Sequence, residues 1–264
     1  MNQDGWDGFH RRWSRLKPPL RANAEVVAAI GQAIAGHDGR ALLLGVTPEL
    51  ADIARTTVAV DFSEAMIAHI WPGDSETRRA LHGDWLALPP VAPPALSAVI
   101  GDGSLNVIDY ADYPALFVQL ERVLAQGARL AVRVYRTPEP CDSIEQVRDK
   151  TLAGGAGGFH ALKWRLAMAI AAEARDPRVP VSLIHHVFQQ VFPDRVLLSA
   201  ATGWSREDID EIDAYAGSNA VYSFPTRREL LAALPRNFQN VRFTRSGRYE
   251  LAECCPILVA DFTP

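Results

Sequence analysis

The sequence has few of the features that mark disulfide-stapled, membrane-embedded or metal-binding proteins. Its 264 residues include only three cysteines, an odd number without the spacing of a metal site or a disulfide framework. No apolar run reaches the roughly 20 residues that cross a bilayer. The polar first residues, Met1 to Asp7, lack the apolar core of a secretory signal. We therefore expect a cytoplasmic protein with no membrane partner.

An excess of basic residues is also missing. Lys and Arg total 27 against 31 Asp and Glu, a net charge of -4, so charge gives no reason to expect a nucleic-acid partner. The densest basic stretch, which contains Arg242, Arg245 and Arg248, fits the solvated side of a terminal strand. With 48% hydrophobic and 22% charged residues, the chain has the composition of a soluble globular protein.

Four short segments in the first half of the chain share one pattern. Each is an apolar run, or follows one, and each has glycine or aspartate at or near its end: residues 41–45 (ALLLG), 58–61 (VAVD), 83–85 (GDW) and 98–103 (AVIGDG). Strands of a parallel sheet buried on both faces read as continuous apolar runs, and ligands bind at their carboxyl ends. The pattern therefore predicts a ligand pocket along one edge of a parallel sheet.

The residues around these segments alternate between strand and helix patterns, as right-handed β-α-β crossovers require. Predicted helices cover residues 63–70, capped by Ser63, and 113–124. The first predicted strand begins at residue 41, the second covers residues 57–61, and the third ends at residues 81–83. The fourth and fifth cover residues 97–102 and 127–135. Two further strands, residues 241–246 and 256–262, are joined by a turn near Gly247.

The two remaining parts of the chain are predicted to be helical. Residues 4–35 form helices broken at Pro18-Pro19, and residues 137–236 carry four helical patterns and a glycine-rich loop at 154–158. We therefore divide the chain into an N-terminal helical segment (1–40), a core (41–136), a helical insertion (137–236) and two final strands of the core (237–264).

In their order and spacing, residues 41–135 resemble the class I S-adenosylmethionine-dependent methyltransferases. The resemblance implies an α/β, Rossmann-like fold with a seven-stranded, mostly parallel sheet. The final two strands would close that sheet as an antiparallel pair, after the helical insertion. It also implies S-adenosyl-L-methionine as the cofactor, S-adenosyl-L-homocysteine as the product and methyl transfer as the activity.

The resemblance also implies which residues hold the cofactor. The turn from Gly45 to Glu49 would wrap its methionine end, Asp61 would bind the ribose hydroxyls, and Asp84 with Trp85 would lie beside adenine. The chemistry of these residue types agrees, because one carboxylate accepts from two hydroxyls and glycine lets the backbone approach a ligand. The predicted cofactor residues are Gly45, Val46, Thr47, Asp61, Phe62, Met66, Gly83, Asp84, Trp85, Gly101, Asp102 and Gly103, with Arg21 able to reach a carboxylate.

Three alternatives stay open beside a methyltransferase of small molecules. The turn holds one glycine where the family commonly has two or three, which motivates a non-catalytic cofactor-binding protein that acts as a partner or regulatory subunit. A nicotinamide-binding protein needs Gly-x-Gly-x-x-Gly, and residues 45–50 read GVTPEL. Methylation of nucleic acid or protein is disfavoured by the acidic balance and the absence of an aromatic and basic patch.

The methyl acceptor leaves little trace in the sequence. In-line displacement needs an aligned lone pair in a dry pocket, and a base only where the acceptor loses a proton, so no catalytic residue is assigned. No metal-ligand spacing occurs, and we expect no metal. The insertion could form a wall of the acceptor pocket or a homodimer surface. Candidates for substrate contact are Asn106, Arg133, Tyr135, His160, Lys163, His185, His186, Tyr215 and Tyr222.

The N-terminal segment suggests a lid. Trp6, Phe9 and Trp13 recur at helical spacing before Pro18-Pro19. A lid would exclude water from a small-molecule site. The other interpretation is a helix packed on the sheet edge by these aromatic residues.

Overall fold

Seven strands form one mixed sheet at the centre of the molecule. The computed structural model describes residues 9–90 and 96–264, and only the backbone of Phe9. The strands are β1 (Arg40–Leu44), β2 (Thr56–Asp61), β3 (Arg78–His82), β4 (Leu96–Asp102), β5 (Leu124–Arg133), β8 (Phe238–Thr244) and β9 (Ile257–Phe262).

The strand order confirms the predicted topology. The sheet runs β3-β2-β1-β4-β5-β9-β8. The first five strands are parallel, and β9 and β8 follow as an antiparallel pair at one edge. The carboxyl ends of β1, β2 and β4 therefore lie side by side. This is the point where the strand order reverses, because β2 and β3 follow on one side of β1 and β4 and β5 on the other.

Helices cover both faces of the sheet, because its central strands are apolar on both sides. Leu42 and Leu44 of β1 pack with α4 (Tyr113–Val123), while Ala41 and Leu43 pack with α2 (Ala24–Ala33). The other helices are α1 (Phe9–Arg12), α3 (Glu64–His69), α5 (Ile144–Leu152), α6 (Phe159–Ala174), α7 (Val181–Val191), α8 (Arg195–Thr202), α9 (Arg206–Asp210) and α10 (Arg227–Ala233).

Local signals place several helix ends. The side chain of Ser63 accepts from the Met66 amide and caps α3, as predicted. Asn23 caps α2 in the same way, and Thr226 with Glu229 forms a full capping box on α10. As predicted, helical elements lie on both sides of the proline pair: α1 and a 3₁₀ turn, Trp13–Arg15, precede it and α2 follows it. Residues 1–8, including Trp6, lie outside the described residues.

The segment between β5 and β8 contains more than the helices predicted for it. Strands β6 (Arg178–Pro180) and β7 (Val221–Ser223) pair as an antiparallel ribbon. Three-residue strands are too short for a period-2 pattern to reveal them. The helix predicted over 205–216 is α9 followed by a 3₁₀ turn, Glu211–Tyr215. Ser205 caps the start of α9.

The last two strands lie close to their predicted positions. Cys254 ends a 3₁₀ turn, Ala252–Cys254, and β9 begins after Pro256. Strand β8 starts earlier than predicted, and its pairing with β9 is interrupted around Asn240, which has a φ of 51°. In the described ranges, no helix combines the length and the apolar character that crossing a bilayer requires.

Candidate functional site

A cavity lies at the carboxyl ends of β1, β2 and β4. It contains about 710 Å³ of space free of atoms, part of it open to solvent. The sheet side is formed by strand ends and the turns after them, and the other sides by the N-terminal segment, α6 and the residues beyond it. The lining residues are Trp13, Leu20, Leu44, Gly45, Val46, Thr47, Asp61, Met66, Trp85, Asp102, Gly103, Ser104, Val107, Tyr135, Trp164, Tyr215 and Tyr222.

Gly45 and Trp85 both donate a hydrogen bond to the same carbonyl oxygen. The oxygen of Val60 accepts from the Gly45 amide at 2.9 Å and from Trp85 Nε1 at 2.6 Å. Gly45 has a φ of 99°, and a Cβ there would lie 3.7 Å from the Trp85 ring and 3.8 Å from Asp61 Oδ2. A side chain at position 45 would be strained and would fill the space between the two, so this position favours glycine.

Asp61 is the carboxylate at the end of β2. It is 8% exposed, and its Oδ1 accepts from the Ser63 amide at 2.8 Å. Burial raises its pKa to about 6, although the hydrogen bond from the Ser63 amide opposes that rise. A carboxylate with this environment gains from a ligand that donates hydrogen bonds to it, as a pair of ribose hydroxyls does.

Asp102 lines the cavity, but its carboxylate is occupied by another side chain. Arg133 donates from Nε to Oδ1 at 2.5 Å and from a terminal nitrogen to Oδ2 at 2.9 Å. The same guanidinium donates to the Pro19 carbonyl and to the Tyr249 hydroxyl. Burial alone would lower the pKa of Arg133, yet the charge of Asp102 and its neighbours raises it above the ordinary value. Asp102 thus serves first as the counter-ion of a buried arginine.

Other predicted cofactor residues lie outside the cavity lining. The side chain of Asp84 accepts from the Leu86 amide and closes a local turn. A Cβ on Gly83 would meet Pro89, and one on Gly101 would clash with Ser104, so both glycines serve close packing. Phe62 is buried beside β2 without lining the cavity.

Arg21 also has a partner away from the cavity. Its Nε donates to Glu49 Oε1 at 2.5 Å, and its terminal nitrogen donates to the Trp13 carbonyl at 3.1 Å. Arg21 therefore ties the N-terminal segment to the turn after β1. The carboxylate that Arg21 contacts in this structure is that of Glu49, and its predicted contact with the cofactor stays a prediction.

Among the predicted acceptor-side residues, three tyrosines line the cavity. They are Tyr135, Tyr215 and Tyr222. Asn106 is instead a buried connector, because its amide group bonds the backbone of Tyr135 and of Ser223. The others lie outside the lining. His185 pairs with Asp213 on the surface, His186 is exposed, His160 is partly buried, and Lys163 and Arg133 are enclosed by protein.

Sequence reasoning missed Trp164, which lines the cavity and is 3% exposed. The tryptophan lies on α6, which is buried around most of its circumference. Such a helix has no amphipathic stripe, so nothing in the sequence indicates which of its residues faces a cavity. Leu20, which directly follows Pro18-Pro19 in the segment suggested as a lid, also lines the cavity.

Comparison with known proteins supports the fold. No protein-family model and no curated protein matches the chain. Two solved structures that it resembles are methyltransferases. The first is the amino pentose methyltransferase of calicheamicin biosynthesis from Micromonospora echinaspora, bound to S-adenosylmethionine. It is 15% identical with a TM-score of 0.53, over 98% of this chain and 96% of that one.

The second is the 1,6-didemethyltoxoflavin N1-methyltransferase of Burkholderia thailandensis, bound to 1,6-didemethyltoxoflavin and S-adenosylhomocysteine. It is 14% identical with a TM-score of 0.52, over 98% of this chain and 87% of that one.

A third similar structure carries a different name. This Rhodobacter sphaeroides protein, described as a zinc-dependent alcohol dehydrogenase, is 9% identical with a TM-score of 0.57, over 100% of this chain and 98% of that one. In the part of this chain that is described, no three His, Cys, Asp or Glu side chains are grouped to hold a metal ion. At these identities the likeness concerns the fold alone, which is that of the class I methyltransferases.

Proposed function

We propose that this chain, whose fold is that of the class I methyltransferases, binds S-adenosyl-L-methionine and transfers its methyl group to a small-molecule acceptor. One observation carries the proposal. Gly45, Asp61 and Trp85, from three different segments, meet in one cavity at the carboxyl edge of the parallel sheet.

The residues in this cavity fit the cofactor. Asp61 offers a buried carboxylate to the two ribose hydroxyls, and the absence of a side chain on Gly45 leaves the space beside it open. Trp85 is fixed by its bond to the Val60 carbonyl and presents an apolar ring suited to adenine. Met66 adds a polarisable side chain to the same lining.

The bound cofactor would supply an electrophilic methyl group on a sulfonium, and the protein would contribute positioning and exclusion of water. Trp13 and Leu20 of the N-terminal segment cover the cavity, which supports the lid interpretation. Trp164, Tyr215 and Tyr222 support the proposal that residues 137–236 form a wall of the acceptor pocket.

Calorimetric titration with S-adenosylhomocysteine tests the cofactor assignment. A charge-assisted hydrogen bond contributes about 1.5–3 kcal/mol, so Asp61→Ala should weaken binding roughly ten- to a hundredfold. Asp52→Ala is the matched control, because Asp52 pairs with Arg78 and does not line the cavity. Unchanged affinity in Asp61→Ala would remove Asp61 from the site.

A second assay separates catalysis from binding alone. S-adenosylhomocysteine release is measured after S-adenosylmethionine is mixed with a small-molecule fraction, or with the macromolecules retained from the same extract. Release with the small-molecule fraction supports the proposal. Tight binding without release in either mixture favours a non-catalytic partner protein, and release with macromolecules alone contradicts the small-molecule acceptor.

A further inference from the structure

Four aromatic side chains form a continuous surface on one side of the cavity, and we call them the aromatic wall: Tyr135, Trp164, Tyr215 and Tyr222. Trp164 lies 5.3 Å from Tyr135 and 5.8 Å from Tyr222 between ring centres, and Tyr215 lies 6.4 Å from Tyr222. We propose that this wall, in the site assigned above to methyl transfer, binds a planar aromatic acceptor that carries an ionisable oxygen.

Some hydrogen-bonding groups of the wall have no partner among the residues that the structure describes. Trp164 Nε1 is buried and has no partner within residues 9–90 and 96–264. An unsatisfied buried donor is costly and uncommon, and it calls for an acceptor that the protein itself does not supply. An oxygen on a molecule bound in the cavity would satisfy it.

The hydroxyls of Tyr215 and Tyr222 add to this set. Neither has a hydrogen bond to any described residue, whereas the hydroxyl of Tyr135 donates to the Pro19 carbonyl and that of Tyr113 to the Leu105 carbonyl. Both hydroxyls are on residues that line the cavity. Three polar atoms that can donate to an oxygen are therefore combined with ring faces that can pack on a planar molecule.

A buried amine directly behind the wall points to negative charge on that oxygen. Lys163 is 2% exposed, and its Nζ lies 5.1 Å from the ring centre of Tyr215 and 5.5 Å from that of Phe159. In the described structure no carboxylate oxygen lies within 4.0 Å of this amine. Its charge is therefore supported by aromatic faces and not by a bonded counter-ion.

The surroundings of Lys163 strengthen this inference. Burial lowers its pKa to about 7, against the influence of the Glu211 carboxylate, so it is readily stripped of its proton. Glu211 also lies 3.5 Å from Arg15, which forms a second ion pair with Glu207. His160 is kept neutral, because burial and then Lys163 lower its pKa to about 4. An anionic oxygen in the cavity would favour the protonated, charged form of Lys163.

Binding of two probes of the same shape tests the proposal. 4-Nitrophenol carries an ionisable oxygen and reports its ionisation by its absorption spectrum, whereas 4-nitrotoluene carries a methyl group in its place. Both are titrated into the full chain with and without S-adenosylhomocysteine. We expect 4-nitrophenol to bind as the phenolate, at a pH below its pKa in water, and more tightly than 4-nitrotoluene.

Three variants identify the groups responsible. Lys163→Met and Trp164→Phe should each weaken 4-nitrophenol binding roughly tenfold and leave 4-nitrotoluene binding unchanged. The first removes a positive charge behind the wall, the second removes a hydrogen-bond donor, and both keep the packing. Lys163→Arg should restore most of the phenolate preference. Lys150→Met is the control, since Lys150 is exposed and pairs with Asp142.

The possible failures are distinguishable. Equal loss of both probes in Lys163→Met, bound 4-nitrophenol in its neutral form, or no binding of 4-nitrophenol overturns this inference. If Lys163→Met does not fold, Trp164→Phe decides, because it removes only the indole N–H. Failure of S-adenosylhomocysteine to bind overturns the proposed function instead, and the titrations without it still decide the nature of the acceptor.

Discussion

Asp102 and Arg133 are side-by-side partners at the carboxyl ends of β4 and β5, and their side chains form a bidentate ion pair with almost no contact with solvent. The arginine reaches further, to the carbonyl of Pro19 in the N-terminal segment and the hydroxyl of Tyr249. One buried charge therefore joins two strands of the sheet to the segment that covers the cavity.

Removal of Arg133 is expected to be severely destabilising. Arg133→Met leaves the Asp102 carboxylate buried without its counter-ion, which typically costs about 3–5 kcal/mol of the free energy of unfolding. Arg129→Met, on the same strand, breaks a more exposed pair with Asp261 and should cost about 1 kcal/mol or less. Urea unfolding followed by circular dichroism measures both. Equal losses would mean that burial of the Asp102 pair has no special consequence.

Asp61 is predicted to reduce the stability of the ligand-free protein. Its folded pKa of about 6 lies above the ordinary 3.8, so the fold disfavours the ionised form. The resulting loss of stability develops as pH rises from about 4 to 6 and is complete above that, at about 2–3 kcal/mol. Asp61→Asn, which can still accept from the Ser63 amide, should therefore unfold at a higher temperature at pH 7. A lower melting temperature would contradict this assignment.

The same group predicts how cofactor affinity depends on pH. In the proposed complex the ionised carboxylate of Asp61 would accept from both ribose hydroxyls, and protonation would reduce that capacity. Affinity for S-adenosylhomocysteine should be constant above pH 7 and fall below about 6, by up to about tenfold per pH unit. Calorimetric titrations from pH 5 to 8 measure this, with Asp61→Asn as a variant that should show no such fall. A fall centred near 4 would indicate an ordinary aspartate.

The parts of the site that the sequence predicts are those that depend on strand order. Gly45 and Asp61 directly follow buried apolar runs, and parallel strands bring their carboxyl ends to one edge whatever the packing beyond them. Asp102 was placed at the same edge for the same reason. Its carboxylate forms an ion pair with Arg133, which is its neighbour on the adjacent strand. The two residues are 31 positions apart in the sequence, and no local motif indicates that they are in contact.

The acceptor side was much less predictable. Trp164 comes from a helix without an apolar stripe, and Tyr222 from a three-residue strand, so neither element has a periodicity that orients its side chains. Their meeting with Tyr135 depends on how the segment after β5 packs back on the sheet. That packing is a tertiary property, so the sequence could name the three tyrosines as candidates but could not show that they meet one another and Trp164 in one cavity.

Gly45→Ala should weaken cofactor binding beyond its effect on stability. Alanine at a φ of 99° is strained by about 1–3 kcal/mol, and its Cβ would enter the space between Trp85 and Asp61. Gly36→Ala is the control, because Gly36 has a φ of 79° and open space around it, away from the cavity. Both variants should lose stability, and only Gly45→Ala should lose affinity for S-adenosylhomocysteine in calorimetry. Equal affinities would mean that the turn after β1 does not face the cofactor.

The contact between Tyr135 and Pro19 predicts how the cavity opens. The Tyr135 hydroxyl and Arg133 both donate to the Pro19 carbonyl, at 2.9 and 2.7 Å, and the next residue, Leu20, lines the cavity. Tyr135→Phe keeps the aromatic ring and removes one of these two bonds, which is worth about 0.5–1.5 kcal/mol. If residues 13–20 act as a lid, S-adenosylhomocysteine should dissociate about two- to fivefold faster, as measured by stopped-flow displacement. Tyr110→Phe loses a bond to the Glu229 carbonyl, outside the cavity lining, and should leave the rate unchanged. Identical dissociation rates in the two variants would favour the other interpretation, in which the N-terminal segment packs on the sheet edge without gating the site.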